Sequence, residues 1–331
     1  MTFGESDLDQ LRRTAAGGTR FLVSTHIHPD PDAIGSVLAA RELLLRLGAD
    51  PAVILHDEVP ARCRVLPGAD QIVRYSAGTM REVFRAAMVL DAGSLSRIGD
   101  VESLIAPDAF IFNLDHHLSN NRFGTVNFVD LESSATAELL YLLCREAGLP
   151  LSPSLADNLF AGLLTDTGRF RHTNTSPRVF RIAAELAAAG AGVTRITNSM
   201  YFDVPAGDVL SMGAIYSTLE LFEDGQISTM FARLDHLVED PDNVVDLALS
   251  IRGVQVAALF SETPEGTVRV SLRSRLHVNV AAIAERFGGG GHEKAAGFRT
   301  RGTLESVRER LLPVLQAAAR TGAQKPELET I

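Results

Sequence analysis

Five short runs rich in Val, Ile, Ala and Phe constrain this chain most: RFLVST, PAVILH, AAMVLDAG, DAFIFNLDHH and TVNFVD. Each has strand length and strand composition, and helical patterns interleave with them. AIGSVLAARELLLRLGA, SATAELLYLLCREAG and SLADNLFAGLLT carry the helical period, and Gly48 and Gly148 stand where C-terminal caps belong. Ser152-Pro153 and Ser176-Pro177 each pair an N-cap with a first-turn proline. Alternation of this kind predicts an α/β fold, a mostly parallel sheet with helices on both faces. In such sheets ligands collect beyond the carboxyl ends of the strands.

A chain of 331 residues exceeds one ordinary core and predicts two domains. The pattern changes where NSMYFDVPAGDVLSMGAIYSTLELF is interrupted by Pro-Ala-Gly. This places a first domain at 1–200, a connecting segment at 201–217, a smaller α/β domain at 218–325 and a tail at 326–331. The second half holds the strand-like runs ISTMFARL, VQVAALFSE and TVRVSLRSR, an acidic helix candidate, a glycine run and the helix SVRERLLPVLQAAAR. TGAQKPELETI reads as disordered, and the apolar stretch Met212 to Leu221 as a join helix or a homodimer surface.

Apolar residues make up 46% and charged residues 22%, the balance of a globular protein. No apolar run is long enough to span a bilayer, and MTFGESDLDQ is unlike a secretory signal. Cys63 and Cys144 are the only cysteines, without a CxxC, so neither a disulfide framework nor a zinc ribbon is indicated. A cytoplasmic location with two buried structural thiols is the expectation. Lys and Arg number 31 against 41 acidic residues, a net charge of −10, which argues against a broad basic face for long nucleic acid. A short anionic ligand stays compatible, because a local basic cluster or bound cations reverse the sign inside one cleft.

The runs end in unexpected chemistry. His26-x-x-x-Asp30-x-Asp32 follows the first, Asp91 closes AMVLD, Asp115-His116-His117 closes FIFNL, and Asp166 follows an apolar helix in LLTDTG. Each has a bland alternative: Asp30-Pro31-Asp32 as a turn and N-cap, Asp91 as the cap of a short helix, Asp166 as a loop residue. Independent caps have no reason to converge on one sheet edge, and these groups would. Crowded carboxylates repel unless cations neutralise them. Two divalent ions sharing one carboxylate fit, and carboxylates with a minority of imidazoles suit Mn²⁺. Such a pair, about 3.5–4 Å apart, activates water and clamps a phosphoryl group.

HIHPDPDAIGS, VLDAG, NLDHH and LLTDTGRFRHTNTS, in this order, resemble the four motifs of the DHH phosphoesterase superfamily, and SLRSR with FGGGGHEKAAG resembles its DHHA1 companion domain. The resemblance spans nearly the whole chain and is strongest to the bacterial NrnA-like branch of nanoRNases and pAp phosphatases, whose actinobacterial members also cleave linear and cyclic dinucleotides. It implies that His26, Asp30 and Asp91 hold one metal and that Asp32, Asp91, His116 and Asp166 hold the other. It further implies that His117 faces the substrate as a hydrogen-bond donor or proton source, with Asp115 orienting an imidazole. His28 matches no ligand position and reads as a solvated or substrate-edge residue.

Gly288 to Gly291 offer backbone N–H groups and, with EKAAGF after them, would open a helix whose start is an anion site. His292, with Arg273 and Arg275 at strand spacing, adds phosphate chemistry, and the resemblance assigns Arg273, Gly290, Gly291 and His292 to the terminal nucleotide. Arg169 and Arg171 flank Asp166 in sequence, and Arg171 is a substrate candidate; Phe170 reads as a core aromatic. The expected activity is hydrolysis of nanoRNA, pApA- or pGpG-type dinucleotides, pAp and cyclic di-AMP, the second domain limiting substrate length. The rivals are an inorganic pyrophosphatase or exopolyphosphatase on the same metal core, and a catalytically silent nucleotide sensor.

Overall fold

In the computed structural model, which describes residues 5–238 and 241–322, the chain parts between Asp203 and Val204 into two units. The first contains α1 (Glu5–Ala15), β1 (Arg20–Thr25), α2 (Pro31–Arg46), β2 (Asp50–Leu55), β3 (Val73–Arg74), β4 (Phe84–Leu90), β5 (Ile105–Asp115) and β6 (Val126–Val129). Four helices follow: α3 (Thr136–Glu146), α4 (Pro153–Asp166), α5 (Pro177–Ala188) and α6 (Val193–Tyr201).

The six strands pair in parallel in the order β3-β2-β1-β4-β5-β6. Chain order reverses between β1 and β4, the place where a doubly wound sheet opens a crevice. Alternation sorts the strand residues. Phe21, Val23, Met88, Leu90, Phe112 and Leu114 join the core with α2, α3 and α4, while Leu22, Ile54, Ala87 and Val89 pack under a 3-10 segment at Leu95–Leu104.

Asp30 caps α2 by accepting the Ala33 N–H at 2.9 Å, and Pro31 supplies the first turn without an orphaned donor. Ser152 and Ser176 cap α4 and α5 in the same way. Glycines let α2 and α4 meet at backbone distance. A Cβ on Gly35 would lie 2.3 Å from the Asn158 carbonyl oxygen, and one on Gly162 would lie 2.3 Å from Asp32 Oδ1.

The second unit holds α7 (Ala206–Tyr216), β7 (Glu220–Phe222), β8 (Ile227–Ala232), α8 (Pro241–Leu249), β9 (Val256–Glu262) and β10 (Val268–Ser274), then α9 (Val280–Glu285), β11 (Gly290–His292), β12 (Ala295–Thr300) and α10 (Leu304–Gly322). Its sheet runs β11-β12-β10-β9-β8-β7, with β8 and β9 parallel and the other pairs antiparallel. The segment read as a join contains α7, whose buried Ile215 packs with Met230 and Val244 of this unit.

The glycine run departs from the reading above. It opens no helix: Gly290 pairs with Gly297, Gly291 with Ala296 and His292 with Ala295 in a β-hairpin. AAGFRT has the strand period, burying Ala296 and Phe298, and its pairing with β10 fixes the outcome. Cβ atoms on Gly289 and Gly291 would lie 2.1 Å and 2.5 Å from backbone oxygens, so these two glycines serve close packing. Thr321 and Gly322 finish α10, and the tail beyond them lies outside the described residues. Among the described residues no helix is long and apolar enough to cross a membrane.

Gly35→Ala forces α2 away from α4 and is expected to lower the unfolding free energy by about 1–3 kcal/mol, the range for overpacking a tight contact. Urea denaturation measures it, and wild-type stability would mean that the two helices tolerate more separation than this geometry allows.

Candidate metal centre

Register brings the strand ends level. Thr25 stands opposite Leu90 and Leu90 opposite Leu114, so His26, Asp91 and Asp115 follow one another across three neighbouring strands. Asp91 leaves β4 in the left-handed region, φ 56°, a conformation that disfavours a residue with a Cβ. Its N–H donates to the Leu114 carbonyl at 2.8 Å, and its carboxylate sits between two imidazoles. His26 Nε2 lies 3.5 Å from Asp91 Oδ2, and His116 Nε2 lies 3.6 Å from Oδ1.

Ligand-type atoms of His26, Asp30 and Asp91 lie within 4.8 Å of one another, and so do those of Asp32, His116 and Asp166. Backbone partners aim the rings. His26 Nδ1 is 2.8 Å from the Ile27 carbonyl and His116 Nδ1 is 3.2 Å from the Ser133 carbonyl, which leaves each Nε2 on the carboxylate side. Asp30 both caps α2 and belongs to one trio, so the N-cap does not exclude a ligand role. Asp32, fully buried on the first turn of α2, accepts the N–H groups of Thr136 at 2.7 Å and Ala137 at 3.0 Å at the start of α3. Asp166 ends α4, with Oδ2 3.2 Å from His116 Nε2.

His117 also reaches a trio with Asp91 and His116, but its own partner is nearer. Its Nδ1 is 2.6 Å from Asp115 Oδ1 and 3.6 Å from Asp91 Oδ1. Asp115 is fully buried. It also accepts the backbone N–H groups of His116 at 2.8 Å and His117 at 3.2 Å, and the Asn120 amide at 2.6 Å. Asp115 thus sets the tautomer and orientation of His117.

The electrostatics are those of an anionic pit. Burial, then Asp166 and Asp91, pushes Asp32 well above the usual carboxylate range. Burial lifts Asp166 to about 6 against the pull of His116, with Asp30 adding to the rise. Burial would raise Asp91 too, but His26, His117 and His116 hold it far below that range. Burial opposes protonation of His26, yet Asp91 and Asp30 raise it to about 9, and the same contest raises His116 and His117. Two neighbouring oxygen-rich trios, linked where Asp91 of one faces His116 of the other, with protons standing in for missing positive charge, fit a pair of divalent cations.

Exposed Arg171 donates from Nε to the Gly168 carbonyl at 2.9 Å, in a turn where Arg169 and Phe170 both have positive φ. Phe170 packs against the core and stacks on Phe180 with ring centroids 5.4 Å apart, and Arg169 lies over Tyr201. His28, exposed with φ 55°, donates its N–H to Asp57 at 2.6 Å. In the second unit, Arg273 Nε lies 3.5 Å from Asp246, and exposed Arg275 stands one residue beyond β10. Gly290 has open space above its Cα, and Gly291 and His292 lie beside it in β11. Cys63 and Cys144 are buried thiols, the latter pushed up to about 12 by burial and Glu42.

Sequence reasoning passed over Thr136, whose Oγ1 donates to Asp91 at 2.9 Å, as well as Asn120 and Glu138. Glu138 carried a readable signal, a lone carboxylate inside the apolar helical run TAELLYLL. Asn120 carried none beyond its nearness to Asp115.

The DHH family, N-terminal domain, matches residues 20–163, and the DHHA1 domain matches residues 232–321. The bifunctional oligoribonuclease and PAP phosphatase NrnA of Thermus thermophilus is 35% identical over 300 residues, 87% of this chain and 89% of that one. The protein of the same name from Bacillus subtilis is 26% identical, over 87% and 91% of the two chains. The crystal structure of an exopolyphosphatase-related protein from Bacteroides fragilis superposes with a TM-score of 0.86 at 24% identity over 96% of each chain, which confirms the fold. Fold and site thus define a DHH–DHHA1 protein whose acidic and imidazole cluster can hold metal ions. Within that class, the chain belongs to the NrnA family.

The raised imidazoles have a consequence for the metal-free protein. His26 has a folded-state pKa of about 9 against an ordinary 6.5, so its contribution is present in full below pH 6.5 and is lost as pH rises through about 9. The melting temperature of chelator-treated protein is therefore expected to fall across that window, and His26→Asn to flatten the decline. An unchanged slope in the variant would remove the His26–Asp91 pair from the account.

Proposed function

We propose that this chain is a metal-dependent hydrolase of short nucleotides. It releases 5′-mononucleotides from nanoRNA and from pApA- or pGpG-type dinucleotides and removes the 3′-phosphate of pAp, with cyclic di-AMP a further candidate substrate. One observation carries the reading: Asp91 of one ligand trio lies 3.6 Å from His116 of the other, directly beside an imidazole oriented by Asp115. The 35% identical relative, named an oligoribonuclease and PAP phosphatase, supports the substrate class.

His26, Asp30 and Asp91 would hold one cation, and Asp32, Asp91, His116 and Asp166 the other, Mn²⁺ being the occupant that the oxygen-rich donor set favours. When bound, a divalent pair supplies a nucleophile from water and neutralises the phosphoryl oxygens. The chain's own residues do the rest. His117, raised toward its protonated form and held through Nδ1, donates from Nε2 to a phosphate oxygen or to the leaving group. Asp115 is a positioning residue. Arg171, Arg273 and Arg275 are candidates to pair with phosphates, and Gly290, with its open space, is a candidate for the terminal nucleotide together with Gly291 and His292. Substrates of this kind arise in the cytoplasm, where we place the activity.

Phosphate and mononucleotide release with Mn²⁺ from pAp, pApA, RNA 2- to 24-mers, cyclic di-AMP and pyrophosphate tests the reading. Preference for pAp and the shortest RNAs supports it; turnover of pyrophosphate alone overturns the nucleotide assignment. Asp91→Ala is expected to reduce kcat by at least about 10³-fold, near 4 kcal/mol of barrier, with the circular dichroism spectrum unchanged. His117→Ala is expected to lower kcat by about 10²–10⁴-fold while bound Mn²⁺, counted by elemental analysis, stays at the wild-type level.

A further inference from the structure

The five residues from Ser133 to Ala137 touch most of one half of the centre. The Ser133 carbonyl meets His116 Nδ1, the Thr136 hydroxyl donates to Asp91, and the Thr136 and Ala137 N–H groups donate to Asp32. Asn174 extends the frame, its Nδ2 donating to the carbonyls of Ser134 and Asp166, both at 3.1 Å. The segment is itself fastened by Glu138, a carboxylate only 1% exposed and unused by the chemistry above. Glu138 Oε2 accepts the Ser134 N–H at 2.7 Å and the Ser134 hydroxyl at 2.6 Å, while Oε1 accepts from Arg178 Nε on α5. Arg178 Nη2 also donates to Ser133 Oγ at 3.4 Å. The His26 and Asp30 side takes its supports elsewhere, from the Ile27 carbonyl and the Ala33 N–H.

We propose that buried Glu138, paired with half-buried Arg178, is a positioning device for one of the two cation subsites, the one formed by Asp32, His116 and Asp166. Resting on the two-cation reading, it acts through the Ser133–Ala137 segment on Asp32 and His116, and reaches the subsite of His26 and Asp30 only through Asp91. An ion pair with its carboxylate buried is a weak source of stability, since desolvation of that group offsets the attraction. As a clamp it holds a carbonyl at the angle that fixes an imidazole, the role that supporting hydrogen bonds play around ligating histidines.

The test is calorimetric titration of Mn²⁺ into the metal-free full-length chain. Wild type should show two steps, and Asp166→Asn identifies which step belongs to the proposed subsite. Glu138→Gln is expected to weaken that step about 10–100-fold and the other by far less, with excess Mn²⁺ restoring turnover. Arg178→Gln, at a half-buried position, repeats the measurement with the core carboxylate kept, and it decides the matter if Glu138→Gln does not fold. Equal weakening of both steps, or of neither, overturns the inference. A wild-type chain that takes up no cation overturns the metal reading and this inference with it, whereas two wild-type steps with no selective loss sink the clamp alone.

Discussion

Everything at the sheet edge depends on the repulsion among four carboxylates. Asp30, Asp32, Asp91 and Asp166 are drawn together from the N-cap and first turn of α2, the end of β4 and the last turn of α4. Without positive charge the cluster is unstable, and the protonation pattern shows the response: Asp32 and Asp166 shift toward their neutral forms while His26 and His116 shift toward their charged ones. Two features keep the groups from separating. Strand register holds His26, Asp91 and Asp115 level, and the contact of Gly35 and Gly162 fixes α2 against α4.

Much of this was legible in sequence. The strand runs are short, apolar on both faces and punctuated by charge, so the parallel sheet and the converging ligands could be read from pattern alone. Convergence was legible because parallel strands necessarily end on one edge. What pattern could not carry is support from residues distant in sequence. Nothing local to Thr136 announces that its hydroxyl meets Asp91, and Arg178 reaches Glu138 across 40 residues.

The glycine run marks where local reasoning chose wrongly. Flexible glycines before EKAAGF fit a helix start equally well in isolation, but the decision was made by β10, which offered AAGFRT a partner strand along its length. Gly289 and Gly291 are there because neighbouring backbone leaves no room for a side chain; Gly290, with open space, is the one whose bareness a ligand can exploit.

Asp30 shows how the centre and the fold are joined. One of its oxygens is committed to the first turn of α2, so that helix begins correctly whether or not a cation is present. Asp32 is likewise committed to the start of α3 through two backbone donors. The socket is therefore built by the helices themselves, unlike small zinc domains that fold only around their ion. Taking a cation away from a chain built like this would remove charge but none of the hydrogen bonds that start α2 and α3.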